Sequence, residues 1–178
     1  MCTMRATTVN RKIEQLLLSL HTESAGSPGY RSAVEELKTL INAPHLYRDE
    51  TQFQLPEGMA EESIIVSDAL ESVTNGMYNP EILNRLQEIH SASPFYPWRS
   101  AVMAILAFYQ SDRDNMLQLL EQIPDSTPPA GLKPVLLNLS RIETEQQLTA
   151  AAKRLVDEVR EDRVFLLSAI EQLEEYLE

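Results

Sequence analysis

The chain has 178 residues, 43% hydrophobic, 24% charged and 6% aromatic, with 15 basic and 27 acidic side chains for a formal charge of -12. One cysteine excludes an intrachain disulfide scaffold, five glycines leave little material for many tight hairpins, and so acidic a chain opposes binding to nucleic acid, where Lys and Arg must displace counterions. What remains is a soluble helical protein, long enough to bury about 70% of the surface of its unfolded chain.

At the start, Arg5, Arg11 and Lys12 precede the apolar run from Ile13 to Leu20, which Glu14 interrupts and which lacks a small-residue cleavage pattern. No signal peptide is expected. The longest uncharged apolar run, Ala101 to Tyr109, is nine residues, against roughly 20 for a bilayer span. The expectation is a cytoplasmic protein with no membrane segment.

Helix starts are signalled by Ser, Thr or Asn directly before Pro, because proline at the first helical position gives up only a donor that would be orphaned there. The pairing occurs at Ser27-Pro28, Asn79-Pro80, Ser93-Pro94 and Thr127-Pro128. Ser111 to Asp114 and Thr144 to Gln147 have the form of capping boxes. Between these marks apolar residues recur at spacings of three and four, as a helix with one buried stripe requires. In chain order the stripes are Ile13, Leu16, Leu17 and Leu20; Val34, Leu37, Leu40 and Ile41; Ile65, Ala69, Val73 and Met77; and Ile82, Leu86 and Ile89. A fifth helix carries Trp98, Ala101, Val102, Ile105, Leu106 and Tyr109, with Met103, Ala104, Ala107 and Phe108 on the opposite face, a pattern for burial on all sides. Then follow Met116, Leu119, Leu120 and Ile123; Leu132, Val135, Leu136 and Leu139; Leu148, Ala151, Ala152, Leu155 and Val159; and Leu166, Ile170, Leu173 and Leu177. About nine helices with short connections make an all-α fold, a bundle or a stack of antiparallel helical hairpins. The longest loop falls at 43–56. A single all-helical domain over 1–178 is expected, with sub-units 8–92, 93–142 and 143–178.

Tyr30 to Val34 and Trp98 to Val102 nearly match, each at a helix start just after a proline and 68 residues apart, twice the 34-residue period of a tetratricopeptide repeat. From Trp98 to Pro124, an aromatic and small-residue helix with Ala104, Ala107 and Tyr109 is followed by a polar turn at Ser111 to Asp114. A second helix then ends in Ile123-Pro124. This stretch resembles the helical hairpin of tetratricopeptide-like repeat proteins, in a degenerate form with a shortened spacing from Tyr109 to Pro124. The resemblance implies a tetratricopeptide-like α-solenoid or right-handed superhelix, and protein or peptide binding on a concave surface.

Residues that carry chemistry are sparse. His21, His45 and His90 have no zinc spacing and suit helix-terminal positions. Asp112, Asp114 and Asn115 open like a calcium loop but lack the glycine at the sixth place and the acid at the twelfth, so capping accounts for them. Glycine-rich phosphate loops and nucleophile elbows are missing. The acid pairs Glu35/Glu36, Glu61/Glu62 and Glu174/Glu175 point about 100° apart on a helix and suit solvated faces. No enzyme, metal or cofactor is expected.

Charge is unevenly placed: +2 over residues 1–48, -8 over 49–98, zero over 99–142 and -6 over 143–178. The expected function is therefore a scaffold or adaptor that binds a protein or peptide, one of basic character, since complementary potential speeds encounter. Its expected contact residues are Tyr96, Trp98, Arg99 and Tyr109 on the aromatic helix, and Glu57, Glu61, Glu62 and Asp68 on the acidic segment. The alternative is a self-assembling structural or regulatory protein, a homo-oligomer paired through the helix from Leu166 to Leu177.

Overall fold

The computed structural model describes the backbone of residues 2–47, 56, 58–142 and 148–160, and the side chains of these from residue 10 onward. All regular structure among the described residues is helical: α1 (Cys2–Thr22), α2 (Pro28–Leu40), a first 3-10 turn (Pro44–Tyr47), α3 (Met59–Thr74), α4 (Pro80–Glu88), α5 (Tyr96–Tyr109), α6 (Arg113–Glu121), a second 3-10 turn (Pro128–Leu132) and α7 (Lys133–Leu139). Helical backbone also runs over residues 150–160. Eight of the expected helices thus have a counterpart. The ninth, Leu166 to Leu177, and the capping box at Thr144 lie outside the described residues.

Two of the four proline-adjacent caps form as expected. Ser27 Oγ accepts the Tyr30 amide at 3.0 Å, and Asn79 Oδ1 accepts the amides of Glu81 and Ile82. The other two do not begin α-helices. Ser93 closes a turn before α5, its Oγ accepting the Phe95 amide at 3.0 Å, and Thr127 leads into the second 3-10 turn with its hydroxyl on the Pro124 carbonyl. Ser111 is a further correction. It sits at φ 59, just past α5, with its own amide on the Phe108 carbonyl and the next amide on the Ala107 carbonyl. It therefore ends α5 in a left-handed C-terminal turn, and Asp112 caps α6 by accepting the Asn115 amide at 3.2 Å.

The chain falls into two units, Met1–Ala130 and Gly131–Glu178. In the first, α1 packs on α2, α3 on α4 and α5 on α6, three helical hairpins in chain order. Side-chain bonds cross each of them: an ion pair of Lys12 with Glu36, Arg85 with Glu61 at 2.6 Å, and Tyr96 Oη donating to Gln122 Oε1 at 3.1 Å. α5 packs on both α3 and α6. Ala101, Ala104 and Ala107, all buried, let neighbours approach its backbone closely. Helix α3 buries the expected Ile65, Ala69 and Val73 together with Val66, a broad apolar face at helical spacing.

The repeated segments take the same register within their helices: Ala33 and Val34 in α2, like Ala101 and Val102 in α5, are buried in the second helical turn. Yet α2 is the second helix of its hairpin and α5 the first of its own.

In the second unit, α7 ends in a left-handed turn at Arg141 (φ 56), with the Ile142 amide on the Leu137 carbonyl at 2.9 Å. Arg160 donates to both the carbonyl and the side-chain oxygen of Asn138.

The αL placement of Ser111 carries a stability cost of about 1 kcal/mol for a residue with a Cβ. Ser111→Gly should raise the urea midpoint by a corresponding amount, while Asp112→Ala should lower stability by about 1 kcal/mol. Loss of stability in Ser111→Gly would instead restore Ser111 as the cap of α6.

Candidate functional site

The aromatic residues singled out on α5 divide by position. Tyr96 and Trp98 lie in its first turn and Tyr109 at its last residue, about 20 Å apart along the axis at 1.5 Å per residue. They therefore do not share one contact point. Trp98 is half-buried and its indole N–H donates to the Ile41 carbonyl at 2.8 Å, closing the end of α2. Tyr96 lies under the Arg99 guanidinium, whose carbon is 5.1 Å from the ring centroid, while Arg99 Nε is buried without a hydrogen-bond partner. Stacking of this kind holds a guanidinium in a fixed plane. Gln122 Oε1 takes the Ser100 hydroxyl, at 3.4 Å, as well as that of Tyr96. Tyr109 is 51% exposed and meets Phe108 edge to face at 5.5 Å.

Of the acidic residues, Glu57 lies outside the described residues. Glu61 is exposed and paired with Arg85. Asp68 is half-buried on α3. Glu62 turns toward the segment before α5, where its Oε2 accepts the Ser93 hydroxyl at 2.5 Å. Burial pushes the Glu62 carboxyl above its usual range; the Ser93 bond opposes this and the neighbouring Glu61 charge adds to it. The structure brings Glu61 and Glu62 to the start of α3, beside α4 and Ser93.

Sequence reasoning missed three features. Lys38 is buried, its Nζ donating to Glu35 at 2.7 Å and to the Ser91 carbonyl at 2.9 Å. Its signal was present: residues 34, 38 and 41 share one helical face, so Lys38 belongs to the apolar stripe. Tyr47 is buried against Phe95, ring centroids 6.1 Å apart, and burial pushes its phenol up to about 12. The third is a solvent-open groove of about 340 Å³ between Pro44 and His45 of the first 3-10 turn and Ser67, Leu70, Glu71 and Thr74 of α3. Beyond it, Met77 and Tyr78 stand exposed in the turn to α4. Met77 was expected inside the third helix, which instead stops at Thr74.

Among the described residues no group of three or more His, Cys, Asp or Glu is placed to hold a metal ion, and no helix is long and apolar enough to cross a membrane. Comparison with protein-family models, with curated proteins and with solved structures finds no match.

The Glu62 environment has a pH consequence. With its carboxyl raised, the folded state holds this proton at pH values where the unfolded chain has released it, so stability falls as pH rises through that window. Glu62→Gln keeps an acceptor for Ser93 and removes the titration. Its stability relative to the parent should be greater at about pH 7 than at about pH 4, read from paired denaturation curves. A difference that does not change with pH would show that Glu62 is not desolvated by the fold.

Proposed function

We propose that the chain is a non-enzymatic, tetratricopeptide-like stack of helical hairpins that binds a protein or peptide of basic character, and that it works in the cytoplasm. The observation that carries this is the charge on the α3/α4 hairpin. Residues 58–88 contain six carboxylates and one cation, Arg85, and Arg85 is already engaged by Glu61. A net negative field of that kind raises the encounter rate with cations and rejects acidic competitors. The hairpins supply the rigidity: polar side chains cross between helices within each, and the small residues of α5 hold its neighbours close.

The single cysteine, which cannot form an intrachain disulfide, agrees with a reducing compartment. The resemblance between Trp98 and Pro124 adds the class of activity by analogy.

Crosslinking capture in native lysate, at about 0.05 M and about 0.5 M salt, tests the charge. Partners should be basic, should be lost at the higher salt, and should be lost from a Glu71→Lys/Glu81→Lys variant at either. The same partners captured at both salts and by both proteins would refute an electrostatic basis for binding.

A further inference from the structure

The end of α3 is built in an unusual way. Gly76, at φ 68, forms a left-handed turn in which the Met77 amide donates to the Ser72 carbonyl at 2.9 Å and the Gly76 amide to the Val73 carbonyl at 3.3 Å. In this turn the residue after the glycine ordinarily folds back onto an apolar residue in the last helical turn. Here that position holds Ser72. Its hydroxyl donates to the Met77 carbonyl and accepts the Asn79 amide at 3.2 Å. Met77 therefore has no apolar seat on its own helix and stands 68% exposed, with Tyr78 beside it at 48%.

Both sides of the Met77–Tyr78 backbone are clamped by one residue. Two large apolar side chains are thus presented to solvent on a loop whose ordering cost folding has already met, a preorganisation that favours binding. Methionine and tyrosine are also enriched at the centres of protein interfaces.

The groove adjoins this tip. Asn75, two residues before Met77, lines it together with Glu71 and His45. Leu46, in the same 3-10 turn as His45, is exposed as well. We propose that the Met77–Tyr78 tip and the adjoining α3 groove form the docking surface for a basic amphipathic segment of another protein, with Met77 and Tyr78 as its apolar anchors. This rests on the binding function proposed above and gives it a location away from α5.

Charge selects the occupant. Glu71 lines the groove and exposed Glu81 follows Tyr78 by three residues, so the same face of a second copy and the phosphates of a lipid surface are both repelled. A segment carrying lysine or arginine beside apolar residues satisfies the acidic field and the exposed side chains together.

The test is a nuclear magnetic resonance titration of the isotope-labelled full chain with a synthetic amphipathic helix of leucine and lysine, and with its leucine and glutamate counterpart. The lysine peptide should perturb Met77, Tyr78, Asn75, Glu71 and His45, and the glutamate peptide should perturb none of them. Met77→Ser/Tyr78→Ser should weaken binding about tenfold or more. Tyr109→Ser, an equally exposed site elsewhere, should leave it unchanged. Because Met77 and Tyr78 are exposed, an unchanged circular dichroism spectrum is expected for the paired variant.

Perturbation centred on Tyr96 and Arg99 would overturn this location while leaving the protein-binding function standing. Equal binding of both peptides, no perturbation by either, or the same shifts produced by raising protein concentration alone would each overturn the proposal.

Discussion

The first unit depends on a seam where the end of α2 meets the segment Ser91 to Trp98. Two side chains cross it in opposite directions. Lys38 reaches from α2 to the Ser91 carbonyl, and Trp98 reaches back from α5 to the carbonyl of Ile41. Between them Phe95 is fully buried and meets Tyr47 edge to face. Ser93 adds a link to α3 through Glu62, while Ser63 at the start of α3 donates to the Pro44 carbonyl. The bonds to the Ile41 and Pro44 carbonyls satisfy groups of buried residues that would otherwise be left unpaired, at a cost of about 1–3 kcal/mol for each group.

From that seam follows what α3 can present. Its buried face, Ile65, Val66, Ala69 and Val73, lies in the core, and its start is tied through Ser63 and Glu62. Elsewhere on the helix Glu61 pairs with Arg85 of α4 and Glu71 lines the groove. Where the helix ends, Ser72 holds the turn. Fold and surface are thus coupled: residues that anchor one side of α3 set the orientation of the acids and apolar side chains on the other.

The stripes of α1, α2, α4 and α6 were legible because the period of 3.6 residues is a property of any half-buried helix. Ser27 and Asn79 were legible as caps because proline follows and an uninterrupted helix comes after. Ser93-Pro94 and Thr127-Pro128 carry the same letters, but their backbones turn first and a helix begins only later; the dipeptide marks a change of direction, and tertiary packing decides whether a helix follows at once. Met77 continued the arithmetic of Ile65, Ala69 and Val73, and only Gly76 signalled the break. Trp98 shows the larger limit. It was expected as a contact residue on a helix patterned for burial, whereas its partner, the Ile41 carbonyl, lies 57 residues away and is a backbone atom that no side-chain pattern encodes. The groove beside α3 has the same origin, in the meeting of a 3-10 turn and a helix separated in sequence.

The most direct measurement of the seam is hydrogen exchange on Lys38→Met/Trp98→Phe, a pair that keeps apolar side chains at both positions and removes both crossing bonds. If the seam joins the hairpins, amides of α1 and α2 should open at lower free energy than those of α3 to α6, separating one cooperative unfolding event into two. Uniform loss of protection across α1 to α6, or no loss at all, would show that something other than Lys38 and Trp98 holds the first hairpin in place.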